Sequence, residues 1–442
     1  MSQTASTTQQ HKNMIVPIVI IAGLFAIFGF VTWINGPLIP FMKTINELTD
    51  SQSYWVASAS YISFVVMALP ASWIITKIGY KNSLSLGLFV MALGALVFIP
   101  AASARTYWFF LTGIFIQGLG MTILQTAANP YITIVGPIES AAKRISIMGI
   151  SNKLAGALGS LIFGTILLSG IGDVKDKLST VSGAEKTQLL DTMAGSVVTP
   201  YIVMAAVLFV FAIVIRKAPL PDVEASPIEV TADGVTTKTS IFQFPHLWLG
   251  VLALFLYVGA EVIAGDTIIA YGISLDIPAE EARFFTMFTL MAMVATYFLG
   301  VFLIPKVISQ ATALKISAVL GIVLTFCIIY TSGFTSVLFV AALGIANALV
   351  WPAIWPLTLE GLGKFTKTAS ALLIMAIAGG AIIPPLYGKL VDGKKAELIT
   401  QGISEISATA EAATSGYWIL LPCYLFILYY AISGHKLGLK KK

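Results

Sequence analysis

About twelve apolar stretches, most of them 20 residues or longer, decide what this chain of 442 residues can become. A hydrocarbon core about 30 Å thick takes about 20 apolar residues in helical form to cross. Lipid offers no hydrogen bonds to backbone N–H and C=O groups, so each crossing has to be an α-helix packed into a bundle. The pattern predicts crossings near 14–41, 52–77, 82–101, 106–134, 141–169, 193–216, 246–273, 282–305, 310–331, 334–361, 365–390 and 414–433. Only 11% of residues are charged and 57% are hydrophobic, whereas soluble domains carry about 25% charge. The expected fold class is an all-α membrane protein with twelve transmembrane helices in two pseudo-symmetric six-helix bundles.

The net charge of +5 reflects sidedness rather than nucleic-acid binding. Lys77, Lys81, Lys143, Arg144, Arg216, Lys217, Lys238, Lys306, Lys315, Lys364 and Lys367 fall on one set of alternating connections, with Lys12 and the tail from Lys436 to Lys442. The opposite set holds Lys43, Arg105, Lys175, Lys177, Lys186, Arg283, Lys389, Lys394 and Lys395 together with most of the loop acids, among them Asp173, Asp176, Glu280, Glu281, Glu397 and Glu405. Positive residues favour the cytoplasm, so both termini are expected there, in a multi-pass inner (plasma) membrane protein. Met1 to Asn13 is polar and the first apolar run exceeds a signal-peptide core, so that run is expected to stay as the first crossing. Cys327 and Cys423 lie in apolar runs and read as small buried hydrophobes. His11, His246 and His435 sit at helix ends or in tails, with no metal-ligand spacing and no phosphate-binding glycine loop. Neither metal, cofactor nor enzymatic chemistry is expected.

The longest polar stretch between crossings, 217–243, carries Pro219, Pro221 and Pro227. It divides the chain into an amino-terminal six-helix bundle (1–216), a cytoplasmic linker (217–243) and a carboxy-terminal six-helix bundle (244–442). Bundles so joined place substrate near the bilayer midplane. Weak internal likeness agrees: the first helix of each half has a glycine-punctuated polar centre, Trp33-Ile34-Asn35-Gly36-Pro37 and Gly259-Ala260-Glu261…Gly265-Asp266.

Lys153, Glu261 and Asp266 lie deep inside apolar helices, where a charge costs roughly 2.5–3.5 kcal/mol even on the mildest scale. Glu261 and Asp266 are about 7.5 Å apart along the helix and about 140° apart around it. They share no face unless Gly259 and Gly265 allow local unwinding. One of them is expected to bind a coupling cation. The amino-terminal half offers Lys153 no acid at similar depth, so its partner is either Glu261 across the interface, as a charge partner and gate, or the substrate itself. Gln125 and Asn129 share a helix face, and Asn347, Trp351 and Trp355 form a similar stripe. Amides match sugar hydroxyls as donor and acceptor, and an indole suits the C–H face of a pyranose. Asn35, Gln125, Asn129, Asn152, Asn347, Trp351 and Trp355 are therefore the expected sugar contacts, with a static paired acid and ordinary core packing as the plainer alternatives.

The runs Asn35-Gly36-Pro37-Leu38-Ile39-Pro40, Ile78-Gly79-Tyr80-Lys81, Gln125-Thr126-Ala127-Ala128-Asn129-Pro130-Tyr131, Tyr257-Val258-Gly259-Ala260-Glu261 and Gly379-Gly380 through Pro384-Pro385 span nearly the whole chain. In them the chain resembles the fucose permease and glucose/galactose permease group of the major facilitator superfamily. Asn152-Lys153, Gly265-Asp266 and Trp351-Pro352-Ala353-Ile354-Trp355-Pro356 look most like its N-acetylglucosamine permease branch. The resemblance implies alternating access and cation-driven import of a hexose or N-acetylhexosamine such as N-acetylglucosamine, glucose or galactose. Fucose permeases carry membrane-embedded acids in the first and fourth helices, and here those positions read Gly36 and Gln125. Their proton route does not carry over, which leaves Glu261 or Asp266 for the ion. The coupling ion is expected to be H⁺ in preference to Na⁺, and the protein a monomer in the bilayer. A proton-coupled drug or metabolite exporter of the same fold is the alternative.

Overall fold

The computed structural model describes residues 2–134, 141–218, 239–304 and 307–439. Most of the expected linker, 219–238, lies outside the described residues, as do Lys306, residues 440–442 and the side chains of Lys12, Lys143, Arg144, Lys175, Lys364 and Lys367. Among the described residues there are helices and no strands.

Eleven helical stretches are long and apolar enough to cross a membrane. One of them, Trp55–Ala104, is 50 residues long. At 1.5 Å per residue that is about 75 Å, more than twice what a crossing takes. Gly79, at φ 78° and ψ 168°, turns the chain inside it, in a region of backbone space that a side chain makes costly. Residues on either side of Gly79 therefore form the second and third crossings, and the described residues cross twelve times. The remaining crossings follow the expected spans closely, for example Tyr107–Ile134 and Ala141–Leu168. Between the fifth and sixth, where polar composition reads as a loop, the chain instead forms helices Ile171–Thr180 and Gly183–Gly195.

Several crossings are interrupted along their length, and the first, seventh and tenth bear on the site. In the first, helix Ser2–Trp33 stops and Asn35–Ile45 begins. Pro37 has no N–H to give the Trp33 carbonyl, and the ladder resumes with Leu38 N donating to Ile34 O at 3.2 Å. The tenth repeats this device: Gly333–Ala348 stops four residues before Pro352, and Ala353 N donates to Leu349 O at 3.2 Å. The seventh, Pro245–Ser274, holds no proline beyond its first residue, and its break is a π-helical turn at Ile263–Thr267.

With twelve crossings both chain ends lie on one side, called here the terminal side. Ser2–Trp33 packs on the fifth crossing, and Pro245–Val262 packs within the carboxy-terminal half. The halves meet where the fifth crossing packs on the eighth, and beyond the breaks Asn35–Ile45 lies against Ile263–Thr267 and Ile268–Ser274 while the eleventh crossing lies along the second. At the far end, Asp392 accepts the backbone N–H of Asp50 at 3.0 Å and of Ser51 at 2.9 Å. Lys43 donates to Asp50 at 2.6 Å beside it. The halves are thus clasped on the side away from the termini.

Candidate functional site

Three threonine hydroxyls stabilise the π turn of the seventh crossing. A π turn bonds residue i to i+5 and leaves carbonyls of the ordinary ladder without their usual donors, which lipid cannot supply. Thr286 Oγ1 donates to Gly265 O at 2.7 Å and Thr289 Oγ1 to Ala264 O at 3.0 Å, both from the eighth crossing, Phe285–Leu303. Thr267 Oγ1 donates to Ile263 O at 2.7 Å. Glycine is required at 265 because a Cβ there would collide with the Trp33 indole of the first crossing. A Cβ on Gly36 would come within 2.6 Å of Thr286 Oγ1. The interrupted first and seventh crossings therefore touch at their breaks.

The turn also changes which way Asp266 faces. In an α-helix Asp266 stands about 140° from Glu261. A five-residue turn brings the fifth residue roughly one revolution on, back over the first. The local change the glycines were expected to allow is present, as widening of the helix rather than unwinding.

Lys153 Nζ lies 2.8 Å from Glu261 Oε1, joining the fifth crossing to the seventh across the two halves. Of the two partners open to Lys153 in the sequence, the structure has Glu261. The ammonium also sits 4.3 Å from the centroid of the Trp33 ring, within cation–π range. The side chains are 10% and 13% exposed, so neither end snorkels to an interface. Tyr257, Tyr297, Tyr424 and Tyr61 stand close enough to feel the Glu261 charge. These come from the seventh, eighth, twelfth and second crossings.

Asp266 is fully buried, and neither carboxylate oxygen has a hydrogen-bond partner. Lys153, Glu261 and Asn35 are its polar neighbours. The Asn35 amide lies beside the carboxylate, yet its Nδ2 meets no acceptor at hydrogen-bonding geometry, and Trp33 Nε1 is likewise unpaired. Unspent donors and acceptors thus gather at the meeting of the two breaks.

The other expected contacts divide. Gln125 is buried and Asn129 half-buried on the fourth crossing. Asn152, next to Lys153, gives its Nδ2 to Phe25 O at 3.3 Å. Trp351 and Trp355 are half-buried and stacked, with centroids 5.4 Å apart. Asn347 is fully buried inside the carboxy-terminal half, where its Oδ1 accepts from Tyr424 at 2.9 Å while its Nδ2, like that of Asn35, has no hydrogen-bond partner. Because the tenth helix breaks after Ala348, Asn347 does not continue the tryptophan stripe. Sequence reasoning missed Tyr61, Tyr297, Tyr424, Thr286 and Thr289. Tyrosine and threonine are unremarkable in apolar helices, and only the spacing Thr286-x-x-Thr289 on one face offered a signal.

Comparison with known proteins agrees with this architecture. The sequence profile of the Major Facilitator Superfamily matches residues 21–385. A glucose/galactose transporter of Brucella abortus is 32% identical over 436 residues, covering 97% of this chain and 96% of that protein. The L-fucose-proton symporter of Escherichia coli is 28% identical over 390 residues, covering 87% and 88%. Among solved structures, the transporter FucP in its outward conformation superposes with a TM-score of 0.68 at 25% identity, over 95% of this chain and 98% of that one. A D-xylose-proton symporter gives 0.70 at 14% identity, over 97% and 99%, a likeness of fold alone.

Proposed function

Because this chain belongs to the Major Facilitator Superfamily, a family of transporters rather than enzymes, we propose that it is a secondary active sugar importer. It carries a hexose or N-acetylhexosamine such as N-acetylglucosamine, glucose or galactose together with H⁺, by alternating access. The observation that carries this reading is Asp266, fully buried between the halves with no hydrogen-bond partner beside the Lys153–Glu261 pair. An isolated ionised carboxylate is far too costly to bury, and such a group is neutralised instead. A group whose burial depends on neutralisation links ion binding to closure of the two halves.

The names of the relatives support sugar as cargo. Asn35, Gln125, Asn129 and Asn152 offer amides for hydroxyl or acetamido groups, and the stacked Trp351 and Trp355 offer an apolar face. Asn347 holds Tyr424 through its Oδ1 and keeps an unpaired Nδ2 as a donor for a sugar oxygen. Sodium would need several oxygen ligands together. A proton needs only one carboxylate whose charge is costly to bury, and Asp266 supplies it, which favours H⁺. The terminal side is the cytoplasmic face of the inner membrane, so the clasp at Asp392 closes the outer face, and the protein works as a monomer. Coupling is then a difference in affinity: proton and sugar each favour the occluded arrangement over the open ones.

Purified protein in liposomes is expected to accumulate a labelled sugar from a panel of glucose, galactose, mannose, fucose and N-acetylglucosamine when the interior is made alkaline. An imposed sodium gradient alone is expected to give none. Accumulation under sodium alone would overturn the choice of ion, and uptake of no sugar under either gradient would overturn the cargo.

A further inference from the structure

We infer that Thr286 and Thr289 are positioning residues for coupling: their hydroxyls hold the π turn of the seventh crossing and so aim Asp266 at Asn35 and the Lys153–Glu261 pair. This rests on the reading of Asp266 given above.

Both threonines are buried, at 0% and 1% exposure, and both donate to consecutive carbonyls of the turn. Neither hydroxyl bonds its own helix in the i−4 manner of Thr296, which donates to Ala292 O at 2.9 Å. They are directed across the helix pair, onto backbone that the π register has released. A Cβ on Gly36 would meet Thr286 Oγ1 at 2.6 Å, so this hydroxyl is wedged between the two breaks. Without these donors the released carbonyls have no partner in an apolar surround. The α register, which satisfies them internally, then becomes the better state. Return to that register swings Asp266 by several tens of degrees away from Glu261.

Charged and titratable groups acting on Asp266 are Lys153 of the fifth crossing and Glu261 of its own helix, with Tyr61 of the second. The segments of the first, eighth, tenth and eleventh crossings packed on the turn add neutral groups at this depth, namely Asn35, Thr286, Thr289 and Asn347. Tyr417 reaches the Thr267 hydroxyl at 3.4 Å, and Lys43, Tyr297, Lys389 and Asp392 belong to those segments further along. A change in pH dependence on altering the threonines is therefore transmitted through Asp266, since the threonines carry no charge.

The test is a Thr286→Val/Thr289→Val double variant in proteoliposomes, beside Thr286→Ser/Thr289→Ser and Asp266→Asn. Three readouts are taken: proton-driven accumulation, sugar exchange without a gradient, and carbodiimide modification of Asp266 followed by mass spectrometry. The valine variant is expected to lose accumulation at least tenfold, keep exchange within twofold, flatten the pH profile and change the modification rate at least threefold. The serine variant, which keeps both hydroxyls, is expected to stay within twofold of the parent throughout. Unchanged accumulation, pH profile and modification in the valine variant would overturn the inference, as would a serine variant as defective as the valine one. If Asp266→Asn still accumulates sugar while the valine variant alters modification, the positioning stands and the coupling role of Asp266 falls.

Discussion

Glu261→Gln is expected to cost the protein about 3–5 kcal/mol of stability, because it strands the Lys153 ammonium in an apolar site. The pair is short, 2.8 Å, and little exposed, so water does little to replace the lost partner. The double variant Lys153→Met/Glu261→Gln removes both charges, and neutral replacement of a whole buried pair is often tolerated or even stabilising. Thermal unfolding in detergent is therefore expected to fall for each single variant and to recover for the double one. Transport is expected to follow a different order. All three variants lose gradient-driven accumulation by more than tenfold, since the contact that joins the fifth and seventh crossings is gone in each. A double variant that both folds and accumulates sugar like the parent would reduce the pair to a structural contact.

Asp266→Asn is expected to do the reverse to stability. The amide has nearly the volume of the carboxylate without its charge, so the variant folds at least as well as the parent, by about 1–3 kcal/mol if the carboxylate is otherwise buried unpaired. Accumulation against a gradient is expected to vanish, while exchange of internal for external sugar persists. A permanently neutral side chain permits the buried arrangement whether or not a proton is bound. Exchange assays with equal sugar on both sides distinguish this from a folding defect, which would abolish both activities. Retained accumulation in Asp266→Asn would remove the coupling role from this residue.

The twelve crossings were legible because span length is set by bilayer thickness, a constraint independent of tertiary contacts. Even the Trp55–Ala104 stretch resolves into two crossings at Gly79, which stands in the quoted Ile78-Gly79-Tyr80-Lys81 run. The buried ions were legible for a related reason: a charge in lipid is too costly to be incidental. Helix register was not. Taken as a regular helix, Glu261 and Asp266 diverge, and no local pattern announces a π turn. The turn depends on hydroxyls that arrive from Thr286 and Thr289 twenty residues on. The stripe of Asn347 with Trp351 and Trp355 was misread for the same reason, because the helix stops at Ala348, four residues before Pro352. The tyrosines around Glu261 come from four crossings, and only the packing of the halves brings them together.

Sugar-evoked proton movement reports whether proton and sugar cross together through Asp266. Proteoliposomes carrying a trapped pH dye, with no gradient imposed, are given the transported sugar outside. The interior is expected to acidify in proportion to sugar uptake, and this acidification is expected to disappear in Asp266→Asn, although that variant still exchanges sugar. Sugar entry with no accompanying proton, or proton entry undiminished in Asp266→Asn, would contradict it.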